Sequence, residues 1–240
     1  MSAMTSMSAS CRKWLVRSGV LAGPLFVVIF TTYGATLPRY QARRHPVSSL
    51  ALGPRGWIQK ANFLVAGCLY GAFTVGLWHS ETSSSRSRLA PALLATGAIG
   101  LLGAGAFTTD PVSGYPPGTP DALQGYSGRS AMLHDLLSIP TFLALPVGAA
   151  VYARSFAREG RFGWALYSGG TAAMMLSAYG LASAAFNQAP ALVADGGLYQ
   201  RASITTGVAW LTALAVHTLR ASQQPSGLAG SGREPRTAGA

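Results

Sequence analysis

Titratable side chains are scarce in this chain, which makes the position of each one informative. Its 240 residues include four histidines and seven acids: Asp110, Asp121, Asp135 and Asp195, with Glu81, Glu159 and Glu234. His134-Asp135 follows Asp110-Pro111 closely. An imidazole flanked by carboxylates titrates near neutrality and can relay a proton, so His134, Asp110 and Asp195 are candidate catalytic acid–base groups. His45, Ser48, Gln200 and Arg201 form a candidate ligand-binding set, in which a guanidinium suits a lipid phosphate. Ser48, Ser49 and Ser130 supply hydroxyls, but there is no Gly-x-Ser-x-Gly elbow and no His-Glu-x-x-His pair. Two histidines at non-diagnostic spacing do not make a metal site, and Cys11 and Cys68 read as two unpaired thiols. No metal and no cofactor is expected.

These residues must be positioned by elements that live outside water. Charged residues make up 10% of the chain and apolar residues 49%, and the mean hydropathy is +0.30. An ordinary soluble domain carries about a quarter charged residues; this chain has too little polar surface for a soluble globule and too much apolar content for disorder. Six windows contain no Asp, Glu, Lys or Arg: 18–38, 61–80, 89–109, 136–153, 162–194 and 202–219. A helix crosses the hydrocarbon core in about 20 residues, so five windows fit one crossing each. The longer one also holds a single crossing, with Asn187-Gln188-Ala189-Pro190 as its exit. The fold class expected is all-α: an integral membrane bundle of six transmembrane helices, at about 18–38, 61–80, 89–109, 132–153, 162–187 and 201–219. Residues 1–13 read as a disordered leader, 14–220 as the membrane domain and 221–240 as a disordered tail. Arg12, Lys13 and Arg17 precede an apolar run too long for a signal peptide, so the first helix is retained.

The net charge is +11, but the basic residues flank the apolar windows rather than forming one patch, which argues for membrane anchoring and against nucleic acid. Eleven Lys and Arg fall on the side of both termini and seven on the other side. The excess puts both termini in the cytoplasm and all four aspartates, His45 and His134 on the extracytoplasmic face. His79 and His217 fall at cytoplasmic helix ends. Asp110 at the end of the third span and Arg201 at the start of the sixth each oppose the local helix dipole. Each is expected to have a partner, most simply one another, with Arg129 as the competing choice for Asp110.

Small residues mark where helices touch: Gly67 and Gly71, Gly100 and Ala104, Ala173 and Ser177, Gly180 and Ala184. Pro140 and Pro146 predict a kink in the fourth span. His45-Pro46-Val47-Ser48-Ser49-Leu50, closed by Gly53-Pro54, reads as a short interfacial helix against the outer mouth.

That segment, with Trp57 to Asn62-Phe63, resembles the prokaryotic membrane family catalogued as domain of unknown function 998. Phe107-Thr108-Thr109-Asp110-Pro111, His134 and Gly197-Leu198-Tyr199-Gln200-Arg201 are similar to its later motifs, in the same order. The resemblance covers about residues 14–220 and implies a multi-pass helical protein of the cell membrane, with no established reaction, cofactor or catalytic residue. The partners expected are the lipid bilayer and a lipid or small-molecule ligand at the outer face. Two function classes stay open. In one, the outer His/Asp/Arg cluster fixes helix packing or binds a small ligand or headgroup. In the other, an intramembrane enzyme or lipid handler uses His/Asp acid–base chemistry at the outer leaflet.

Overall fold

A computed structural model describes residues 7–80, 88–123 and 125–223. Six helices account for most of them: α1 Ala9–Thr36, α2 Trp57–Trp78, α3 Leu89–Ala106, α4 Arg129–Arg158, α5 Phe162–Phe186 and α6 Gly196–Ala221. No strand is present among the described residues. The expected leader gives way to helix at Ala9, where the Ser8 hydroxyl accepts the Cys11 N–H as an N-cap. Residues 1–6 and 224–240, the rest of the expected leader and nearly all of the tail, lie outside the described residues.

Each helix packs against the next in the chain, and α6 returns against α1, so the bundle is a closed ring of alternating direction. Five helices are long and apolar enough to cross a membrane. The exception is α5, which is 25 residues long and uncharged but diluted by glycine, serine and tyrosine. Large apolar side chains point away from the ring: Leu21 is 62% exposed, Ile99 60% and Leu166 79%. A water-soluble surface rarely carries so much contiguous apolar area.

Because lipid tails are as apolar as leucine, close packing and interhelical hydrogen bonds hold such a ring together. The α3–α4 seam shows this most clearly. A Cβ on Gly97 would stand 2.7 Å from Leu145, one on Gly100 3.0 Å from the Leu137 carbonyl, and one on Gly103 would strike Leu137 as well. Thr141 Oγ1 then donates across the seam to the Gly97 carbonyl at 3.1 Å. Between α5 and α6, Trp210 Nε1 donates to Ser168 Oγ at 2.9 Å and Ser203 Oγ to the Met175 carbonyl at 3.0 Å.

The other small-residue pairs divide. Gly67 packs on Leu102, whereas Gly71 and Gly180 have open space around them, and Ala173 and Ser177 are exposed. α4 continues through Pro140 and Pro146 as one helix.

One end of the ring has only short links, residues 79–88 and 159–161. The other carries the long connections 37–56 and 107–128 and the shorter 187–195, and it holds every candidate site residue. The 45–54 segment forms a 3-10 turn at Ser48–Ala51. Instead of lying at an interface it is buried in the mouth of the ring, with Ser49 and Leu50 wholly inaccessible. Gly53 ends it at φ +80°, a left-handed conformation that glycine adopts without steric cost.

Candidate functional site

The loop-rich end contains two polar assemblies, and they divide the residues singled out from the sequence. The first is a clamp between the first loop and the start of α6. The first N–H groups of a helix have no partner within it. Here Gly197 N–H donates to the Arg44 carbonyl at 3.0 Å and Leu198 N–H to the Arg43 carbonyl at 2.8 Å. Gly197 permits this approach, since a Cβ there would stand 2.5 Å from the Ala42 carbonyl. Gln200 Oε1 accepts the Val47 N–H at 2.7 Å.

Arg201 completes the clamp. Its Nη1 donates to the carbonyls of Ala42, His45 and Gly197 at 2.6, 2.9 and 3.0 Å, and its Nη2 donates to the Tyr40 hydroxyl. The expected Arg201–Asp110 pair is therefore absent: carbonyl dipoles of the first loop satisfy this guanidinium. Tyr40 is shifted toward a higher pKa chiefly by burial, even with Arg201 beside it, so it stays a neutral phenol.

His45 is buried in the same assembly, its ring 5.0 Å from Tyr115. Its Nδ1 accepts the Gln41 N–H at 3.0 Å, which requires an unprotonated nitrogen. Burial first, then the charges of Arg44 and Arg201, hold its pKa below the ordinary imidazole value. Asp195 belongs here too, paired with Arg43 at the rim, and Asp121 pairs with Arg44 at 2.7 Å. His45, Arg201 and Asp195 are thus held together in the clamp by hydrogen bonds and ion pairs with the first loop.

The second assembly is a cavity of about 360 Å³ between α4, α5, the start of α6 and the loops before them. Ser48, Asp110, His134 and Gln200 line it, joined by Asp135, Tyr126, Ser183 and Asn187. Asp110 is not on a helix end as expected, because α3 stops at Ala106 and Phe107 is extended. Its carboxylate instead accepts Ser127 N–H at 2.8 Å and the Ser127 hydroxyl, drawing the 107–128 loop over the cavity. Ser130 is likewise structural: its Oγ accepts the Thr108 N–H at 2.9 Å.

His134 is 3% exposed, and its Nδ1 lies 3.0 Å from the Phe107 carbonyl. A carbonyl only accepts, so Nδ1 donates to it, and in that tautomer Nε2 is the acceptor. Tyr126 lies beside Asp135; burial, followed by the Asp135 charge, raises the phenol's pKa. Phe142 and Tyr179 stack at 4.7 Å along one wall. Below, Ser138 and Phe142 also border a smaller, largely apolar cavity of about 50 Å³ lined from all six helices.

The α5 contributions, Tyr179, Ser183 and Asn187, escaped the sequence reading. The signal was there in the low hydropathy of α5 and the polar residues at its end. No group of three potential metal ligands occurs among the described residues.

A closed helical ring with five helices of membrane-crossing length, a buried loop turn in its mouth and a polar cavity beside it defines the class of protein. This chain belongs to the family described as protein of unknown function DUF998, whose model matches residues 20–217. No curated protein and no solved structure matches it. The segments that resemble the family motifs are those that meet here: the first loop is clamped by Gly197 to Arg201, and Asp110 and His134 face one cavity.

Proposed function

We propose that this is a six-span integral protein of the cell membrane, with both termini cytoplasmic, whose loop-rich end faces outward and binds a small molecule or lipid headgroup. α5 crosses with its neighbours because it fills the ring between α4 and α6, and the excess of Lys and Arg at the short-linked end supports the orientation. The observation that carries the binding role is the cavity itself. Of the polar side chains at this end, the clamp residues are engaged with one another, whereas His134, Asp135 and Asp110 line an open space of about 360 Å³. A concave recess in which polar groups converge is the usual form of a small-ligand site.

Catalysis is the second reading. It is favoured by one contact set, an imidazole acceptor beside two carboxylates in a shared cavity, which suits proton transfer.

The test is native mass spectrometry of the full chain purified in detergent. A bound species is expected on the wild type and on the rim variant Arg43→Ala, and its loss is expected in Ser183→Trp, which fills the cavity, and in His134→Ala. The same species on all four proteins would remove the cavity from consideration.

A further inference from the structure

We infer that the cavity at the loop-rich end receives a primary ammonium group, carried by a free alkylamine or by an amino headgroup. The inference rests on the binding reading above and adds the ligand's chemical class. The first ground is charge. The chain carries +11 overall, yet Asp110 and Asp135 are the charged residues lining the cavity, and neither Lys nor Arg reaches it. Three guanidinium groups of this end are committed elsewhere, Arg43 to Asp195, Arg44 to Asp121 and Arg201 to loop carbonyls, and Arg129 makes no ion pair with Asp110 or Asp135. Among the described residues, Asp121 and Asp195 are ion-paired with arginine, and neither Asp110 nor Asp135 has a Lys or Arg partner. The two aspartates without such a partner are the two that face the cavity. A partly buried carboxylate without a counter-ion is costly, and a cationic ligand supplies what the protein does not.

The second ground is independent of the acids. His134 is 97% buried, by its 3% exposure, and its Nε2 has no hydrogen-bond partner among the described residues. It presents an acceptor to the cavity it lines. Two carboxylates and one imidazole acceptor match a group with three N–H donors. The stacked rings of Phe142 and Tyr179 add aromatic surface suited to a cation. A phosphate would instead meet two negative charges with no guanidinium at hand.

The experiment is calorimetric titration of the full chain in detergent with four probes: n-butylammonium, tetramethylammonium, butyrate and inorganic phosphate. Saturable binding of n-butylammonium is expected, with tetramethylammonium, which has no N–H, weaker by about tenfold or more, and no binding of the two anions. Asp135→Asn and Asp110→Asn are each expected to weaken n-butylammonium by about tenfold, the loss of one charge-assisted hydrogen bond. Asp110 also holds Ser127, so Asp135→Asn and the comparison of probes on wild type carry the test if Asp110→Asn fails to fold.

Anions binding as tightly as n-butylammonium, equal binding of the two cations, no loss in Asp135→Asn, or no binding of any probe would overturn the ammonium. Ser183→Trp separates this failure from that of the binding reading. Anion binding abolished by Ser183→Trp keeps the cavity and discards the ammonium, whereas any binding indifferent to Ser183→Trp discards both. In nanodiscs, suppression of n-butylammonium binding by phosphatidylethanolamine but not by phosphatidylcholine assigns the ammonium to a headgroup; equal binding in both assigns it to a free amine.

Discussion

At the residue scale, His45 and Arg201 show how polar groups at the loop-rich end engage one another and the backbone. Protonating His45 Nδ1 would turn it toward the Gln41 N–H, donor against donor, beside Arg44 and Arg201. The folded state therefore resists a proton that the unfolded chain takes up near pH 6.5. This contribution to stability is fully present above that pH and is lost as pH falls through it toward the lower folded value. Melting followed from about pH 8 to about pH 5 should show the decline, and His45→Gln, whose amide oxygen can still accept from Gln41, should flatten it. An unchanged slope in His45→Gln would place the effect elsewhere. Arg201 is a different case, because three of its acceptors are carbonyls that need a planar fork of donors. Arg201→Lys keeps the charge and loses the fork, with an expected cost of about 1.5–3 kcal/mol in chemical denaturation.

At the element scale the ring depends on how closely helices approach. Gly100 and Gly71 are both helix-interior glycines, but only Gly100 faces a neighbour. Gly100→Ala drives a methyl into Thr141 and the Leu137 carbonyl, and overpacking of that kind costs about 1–3 kcal/mol. Gly71→Ala meets nothing within 4 Å and should be neutral or gain about 0.5–1 kcal/mol of helix propensity. Thermal unfolding of the two variants side by side checks this, and equal effects would mean that the seam tolerates more separation than its geometry suggests. Legibility divides along the same line. That α3 would pack through Gly100 was readable from spacing. That Gly71 and Gly180 face outward was not, because a small-residue pair marks an available face without saying whether a neighbour uses it.

At the scale of the whole molecule, the ring places the two long loops at one end, opposite the ends of α4 and α6 that carry Arg154, Arg158 and Arg220. Reporter fusions in the proposed topology should be extracytoplasmic at position 120 and cytoplasmic at position 160. A cytoplasmic reporter at 120 would invert the molecule, although the cavity geometry would stand. α5 is the informative helix. Its Gly, Ser and Tyr content lowers its hydropathy for the same reason that it supplies Tyr179 and Ser183 to the cavity wall.

The sequence alone determined the all-helical class and the presence of several apolar helices long enough to cross a membrane. These follow from local rules: a backbone in lipid must satisfy its own hydrogen bonds, and the hydrocarbon thickness sets a length. Tertiary structure decided which polar groups meet. The dipole argument showed that Asp110 and Arg201 each needed a partner. It could not say that Ser127 would hold one and the carbonyls of Ala42 and His45 the other. A backbone carbonyl carries no mark in the sequence, since every residue has one. Only the fold brings residues more than 150 positions apart within hydrogen-bond reach, and only the fold leaves His134 and Asp135 facing open space.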